Sequence, residues 1–302
     1  MTRILFSRLF TLCLAATLLP VATPAHGAPI IARFTHGGSS ASTVTSEVDA
    51  WSGKTGDGWT SIWNRSSTTT EVISAASPIW GANPRLQITP SSATSTSGHV
   101  NRIYDPAYVT PAANAPIVIS FDLSIDDLGD FLNTASNHFF LAQSNSASTN
   151  YTSNTNWLIY GYGGTDPESA VAESGPLATA MQGQWNLMTG GNSTNSYIPT
   201  GVALAEGVLY SFTLTLDRVN QSYSVLLTDG TTTFQSDPLS FYNTNGNFLT
   251  RLVFSQNYQL NQNAIYSIGN IRIVPEPSSL ALIAGAVAGI AALHRRRHKG
   301  LR

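Results

Sequence analysis

An all-β fold, a β-sandwich over residues 28–274, is the class this sequence predicts. Three observations carry that expectation. Apolar and polar residues alternate with a period of two, which sends every second side chain to the same face of a strand. Gly, Pro, Asn and Ser punctuate the body at short intervals, and no stretch of it carries a helical apolar stripe. The strands bounded in this way are many and short, the pattern of a sandwich or jelly roll.

The first candidate strand covers residues 30–34 and the second 85–89. In the third, Ile117, Ile119, Phe121, Leu123 and Ile125 alternate with Val118, Ser120, Asp122, Ser124 and Asp126, so the odd positions form the dry face and the even ones the wet face. Strands follow over 138–142 and 157–162. Val208, Tyr210, Phe212, Leu214 and Leu216 then alternate with Leu209, Ser211, Thr213 and Thr215. Asp217-Arg218-Val219-Asn220 reads as a turn, and Tyr223, Val225 and Leu227 mark the next strand. Asp229-Gly230 is the strongest hairpin signal, because a type I′ turn needs positive φ at its centre. Residues 231–234 form the return strand, and 251–255 and 265–274 complete the set. The polar segments 39–46, 66–70, 91–97 and 144–156 are expected as loops or poorly ordered chain.

Both ends differ from this body. Pro275-Glu276-Pro277 leads into Ser278 and Ser279, suitable helix caps. Residues 280–293 contain only Ala, Leu, Ile, Val and Gly, and Arg295, Arg296, Arg297 and Lys299 follow. A helix over 279–293 is short beside the roughly 17–25 residues of a full span, which suits a temporary anchor. Its cations stay on the cytoplasmic side, so the chain before Pro275 is expected outside the cytoplasm. At the other end, Arg3 and Arg8 precede an apolar run over 9–22 and the small residues of Ala25-His26-Gly27. This predicts a signal peptide over 1–27, cut by signal peptidase after Gly27. The single cysteine, Cys13, falls inside it. The mature chain is then expected without disulfides, Cys-bound metals or cysteine nucleophiles, held together by its core alone.

The net charge is −2 and charged residues make up only 11% of the chain. Ser, Thr, Asn and Gln must therefore build the surface. No basic stripe marks a nucleic-acid site, and the near-neutral balance gives no long-range steering. Asp126, Asp127 and Asp130 cluster after the strand that ends at Ile125. They read either as a calcium site of hard oxygens or, as favoured here, as a solvated turn with an Asx cap. His36, His99 and His138 share no metal spacing, and His138 fits a hydrogen-bonded strand residue. No Gly-x-Ser-x-Gly elbow and no phosphate loop after a strand is present. Trp51, Trp59 and Trp63, interleaved with Gly53, Gly56 and Gly58, either form an open platform for a glycan or are buried like most tryptophans.

Val274-Pro275-Glu276-Pro277-Ser278, the apolar span and the arginine cluster together resemble the PEP-CTERM sorting signal of Gram-negative bacteria. The resemblance implies an exosortase as partner, with Pro275, Glu276 and Pro277 as its recognition residues. It also implies a transient hold in the inner membrane and association with extracellular polysaccharide or the cell surface. Residues 210–217, 222–230 and 266–273 resemble a concanavalin-A-like, laminin-G-like jelly roll, a fold that hosts lectins, glycosidases and adhesive modules. Gly269 stands where the closing strand of that pattern carries aspartate. Retaining β-glucanases of that fold carry a Glu-x-Asp-x-x-Glu strand, which sets two carboxylates about 5 Å apart. None of Glu47, Glu71, Glu168, Glu173 and Glu206 lies in such a pattern. The expectation is a secreted, non-enzymatic surface or matrix protein with no cofactor beyond possible calcium. A lectin-like carbohydrate-binding module is the alternative, and a glycan hydrolase or lyase is less favoured.

Overall fold

The computed structural model describes residues 29–32, 34, 42–43, 58–61, 63–73, 75–91, 97–109, 115–134, 137–145, 155–164, 181–189, 196–242, 248–258 and 261–275. The expected signal peptide 1–27, the helix 279–293, the basic residues Arg295, Arg296, Arg297 and Lys299, and Trp51 and His36 lie outside them. All the described residues belong to one unit, Gly27–Glu276.

The strands are β1 (Ile30–Ile31), β2 (Ser42–Thr43), β3 (Asn64–Ser66), β4 (Thr68–Ile73), β5 (Arg85–Pro90), β6 (Ser97–Ile103), β7 (Ile117–Asp127), β8 (His138–Ser144) and β9 (Thr155–Tyr162). They continue with β10 (Gln184–Thr189), β11 (Ser196–Ala203), β12 (Leu209–Asp217), β13 (Ser222–Thr228), β14 (Thr233–Gln235), β15 (Leu239–Ser240), β16 (Arg251–Asn257) and β17 (Ile265–Pro275). Among the described residues a short α-helix, α1, covers Pro106–Val109, and a 3-10 turn covers Phe131–Asn133. One sheet runs β14-β13-β12-β7-β17-β5-β4-β2, with β1 added to β17 and β15 to β13. The other runs β11-β10-β9-β8-β16-β6-β3. Every pairing between these strands is antiparallel. The architecture is a two-sheet antiparallel sandwich, as expected.

β7 is the spine of the first sheet. Its odd residues Ile117 to Ile125 are fully buried, as the alternation requires. β12 presents Tyr210, Phe212, Leu214 and Leu216 to the same core, in register with β7 through Phe212 opposite Phe121. The second sheet answers with Phe139, Leu141, Trp157, Ile159, Trp185, Leu187, Leu252 and Phe254. Phe121 joins the two sheets: its ring stacks on Phe212 at 4.9 Å and meets Phe254 edge-on at 5.1 Å.

Five turn or loop regions depart from the sequence expectations. Residues 66–70 are not a loop. The run Thr68-Thr69-Thr70 is β-branched and enters β4, and the chain passes from β3 in one sheet to β4 in the other through Ser67 at φ 51°. Segment 39–46 contains β2, while Ser97 opens β6 and Thr155 opens β9. The hairpin at Asp229-Gly230 is wider than a two-residue turn. Asp229 accepts hydrogen bonds from the Thr231 and Thr232 amides, Gly230 takes φ 86°, and pairing resumes only at Thr233. The turn after β12 is as expected, with the Asp217 carboxylate accepting from the amides of Val219 and Asn220. Those bonds, the one from the Asn220 amide foremost, hold its pKa below the ordinary value.

Four buried tyrosines are anchored by their hydroxyls. Tyr210 accepts from the Ala205 amide at 2.7 Å and donates to the Ala203 carbonyl at 2.8 Å. Tyr266 donates to the Phe254 carbonyl at 3.1 Å, Tyr223 donates to the Met188 carbonyl, and Tyr104 accepts from the Gln143 amide at 2.5 Å. Burial pushes the Tyr210 phenol up to about 12 and raises the other three further. A folded-state pKa above the unfolded value of about 10 adds stability that is complete below that pH and lost as pH rises. The contribution of the phenols should therefore hold to about pH 10 and then fall, outweighing the opposite and smaller effect of the depressed guanidinium of Arg102. Each of the three fully buried phenols contributes up to about 1.4 kcal/mol per pH unit to that fall. Urea midpoints between pH 8 and 12, read beside phenolate absorbance, check this. A midpoint that stays flat across that range contradicts it.

Candidate functional site

The tryptophans come first, because an exposed platform was one expectation. Trp59 and Trp63 are only 4% and 3% exposed, so they form no open platform. Their rings lie 6.3 Å apart, and Trp63 packs 6.1 Å from both Phe34 and Phe254. The glycine before Trp59 explains this. A Cβ on Gly58 would stand 2.5 Å from Ile30, so glycine there lets the segment close onto β1. Arg102 on β6 points inward beneath the pair. Its guanidinium lies 4.1 Å from the Trp59 ring centroid and its Nε donates to the Ser61 carbonyl at 3.1 Å. Burial draws the Arg102 pKa down to about 9, and the cation–π contact offsets part of the desolvation. Trp157 and Trp185 are fully buried as well.

Trp80 covers the outer face of the first sheet. Its indole N–H donates to Ser124 Oγ at 2.9 Å, and its ring packs against Gly269. This accounts for glycine where the resembled pattern has aspartate. A Cβ at Gly269 would sit 2.7 Å from Trp80 Cζ3 and 3.3 Å from the Pro84 carbonyl. Gly269→Ala is expected to cost about 1–3 kcal/mol through overpacking. Gly269→Asp should cost more, because it adds a desolvated charge. Urea unfolding measures both, and midpoints matching the parent protein would remove this explanation.

The acids around Trp80 fasten strands together. Asp126 on β7 accepts from Ser124 Oγ at 2.6 Å, from Gln87 Nε2 on β5 at 2.7 Å and from Ser267 Oγ on β17 at 2.6 Å. Asp122, four residues earlier, accepts from Ser211 Oγ on β12 at 2.7 Å and from Asn270 Nδ2 at 2.6 Å. The calcium candidates are not brought together. Asp127 accepts from the Gly129 amide at 2.9 Å, and Asp130 accepts from Asn133 Nδ2 at 2.8 Å. Among the described residues no three His, Cys, Asp or Glu side chains form a metal cluster. Asp127 makes the Asx bond expected of the turn, whereas Asp130 precedes a short 3-10 turn without capping it through its side chain. Asp126 does not keep the turn role, because its carboxylate is held by Gln87 of β5 and Ser267 of β17 across the sheet.

The outer side of the second sheet carries a second, buried aromatic cluster that the sequence reading missed. Phe140, Tyr160, Tyr162, Leu158, Met188, Val253 and Tyr242 form a cluster separate from the main core, with Tyr197 packed against it. His138 lies 4.8 Å from the Tyr160 ring and 6.2 Å from the Tyr162 ring. The available signal was the spacing of Tyr160 and Tyr162, which strand geometry sends to one face. His99 lies on the outer side of β6, where burial and then Arg251 lower its pKa.

The end of the described chain is the last feature. After a register shift between Gly269 and Arg272, β17 stays paired to its final residue, with Val274 opposite Val118 and Pro275 opposite Ile117. On its other side β1 pairs Ile30 with Ile273 and Ile31 with Arg272. No helix among the described residues is long and apolar enough to cross a membrane.

No curated protein matches the chain. Among solved structures it is similar to lectin II from Ulex europaeus at 12% identity and TM-score 0.41, covering 70% of this chain and 97% of that one. It is similar to a GH131 beta-glucanase catalytic domain from Podospora anserina at 12% identity and TM-score 0.43, covering 70% and 82%. A sialidase gives 14% identity and TM-score 0.38 over 71% of this chain, which spans only 17% of that enzyme. Likeness at these levels says nothing about activity. The specific match lies at the end of the chain: residues 274–297 match the PEP-CTERM protein-sorting motif, so the chain carries that motif, set directly on the last strand of its sandwich.

Proposed function

We propose that this chain is an exported surface or matrix protein, processed by an exosortase, whose sandwich has a structural or adhesive role and no catalytic one. The observation that carries the reading is the sorting motif at 274–297. Such a motif implies export, a transient membrane anchor and exosortase processing in a Gram-negative cell. In this reading residues 1–27 are a signal peptide, 28–274 are the body, and 275–302 are the sorting segment with its helix and basic end. The acids of the first sheet support the non-catalytic role, since Asp122 and Asp126 are spent on cross-strand hydrogen bonds. The test is fractionation of the native host. The mature protein should sediment with extracellular polysaccharide and be released when that polysaccharide is digested. Protein retained in the periplasm, or free in the medium before digestion, contradicts the proposal.

A second reading, a concanavalin-A-like carbohydrate-binding module, draws on the half-buried His138 and Tyr197 at the rim of the buried aromatic cluster. Aromatic faces are apolar and polarisable, which suits them to stacking on sugar rings. A glycan array with the mature body separates the two readings. Binding lost in Tyr197→Ala supports the module, and silence across matrix polysaccharides leaves the structural role.

A further inference from the structure

The sorting motif and the folded body overlap. The match begins at Val274, and Val274 and Pro275 are strand residues, paired with Val118 and Ile117 of β7. No spacer separates the sheet from the motif. On the opposite side, β1 pairs with β17 up to Ile273, and the Ala32 amide donates to the Ile271 carbonyl at 3.0 Å. Continued by one step, that antiparallel register brings Pro29 level with Val274. The first described residues of the body therefore flank the strand where it passes into the motif. Ile30 and Ile273, the pair nearest this exit, are both fully buried, so the strand end is fixed by core packing as well as by its ladder.

A protease needs its substrate extended and accessible, and native strands are cut only when they open. Cleavage of a transiently opened segment follows the population of the open form. We propose that the β7 and β1 pairings of β17 gate the sorting motif: while they hold, the first two residues of the motif are withheld, and the exosortase acts on chains in which this strand end has frayed or has not yet docked. The gate rests on the exosortase reading above. It sets an order of events in which tail removal competes with docking of the final strand, so a fully folded body is the slower substrate.

The experiment is a pulse-chase in the native host. One variant carries an insertion after Pro275, a Gly-Ser linker of about eight residues followed by a second Val-Pro, so that β17 keeps its own residues and an intact motif stands clear of the sheet. The gate predicts that precursor disappears at least about three times faster in the insertion variant than in the parent. An equal or slower rate overturns it. A parent chain that keeps its tail throughout the chase overturns the sorting reading itself, a different and separately visible failure. Hydrogen exchange on the parent protein gives a readout independent of processing. The Ile273 and Val274 amides should be protected alongside those of central β7, and free exchange there contradicts the gate.

Discussion

Replacing Pro275, Glu276 and Pro277 with alanine is expected to abolish tail removal and leave the full-length chain in the membrane fraction. The reasoning separates recognition from folding. Pro275 is the only one of the three among the described residues, and it is the last residue of β17, opposite Ile117. A proline at a strand end contributes no ladder N–H, so alanine there removes no backbone hydrogen bond. The effect on stability should be that of a surface change, within about 0.5 kcal/mol. Immunoblots with tags at both ends of the mature protein and tail read the outcome. Normal tail loss with an unchanged fold would mean that these residues are not the recognition element. A large loss of stability would mean that the motif's first residue matters more to the sheet than its position suggests.

Phe121→Ala should produce the largest loss of stability, roughly 3–5 kcal/mol. The phenylalanine is 1% exposed and touches aromatic rings of both sheets: Phe212 on its own sheet, and Trp157 and Phe254 across the core. Its removal loses the transfer free energy of the ring and leaves a cavity that rigid aromatic neighbours cannot fill. The urea midpoint should fall while the slope of the transition stays the same. The exposed Leu226, 40% accessible on β13, is the control. Leu226→Ala should change stability by no more than about 0.5 kcal/mol. A Phe121→Ala variant as stable as that control would show that the two sheets are not joined through this cluster.

The strands visible in the sequence are those with one wet face. β7, β12 and β13 alternate cleanly because their outer faces meet solvent, and β17 is readable through Tyr266, Ile268, Ile271 and Ile273. The second sheet hides its strands for the opposite reason. β9 is buried at all eight positions and β10 at four consecutive ones, so no period of two remains. β9 was still found through its apolar run, but β10 was not. β6 was missed because an arginine stands at an inward position, which becomes sensible only with Trp59 above it. The tryptophan platform failed on a glycine: Gly58 looked like a loop residue, yet it permits close packing against Ile30. Asp126 was placed in a turn because its partners Gln87 and Ser267 are 39 and 141 residues away in sequence. The sorting motif was legible because its information is local. The aromatic patch was not, because it is assembled from several strands of one sheet.

Intact-mass and C-terminal peptide analysis of the exported protein tests the removable-tail reading most directly. The expected species ends at or near Pro275–Pro277, lacks the apolar segment and Arg295–Arg297, and begins near Ala28. An exported molecule that still carries those carboxy-terminal peptides would overturn the sorting role and everything built on it.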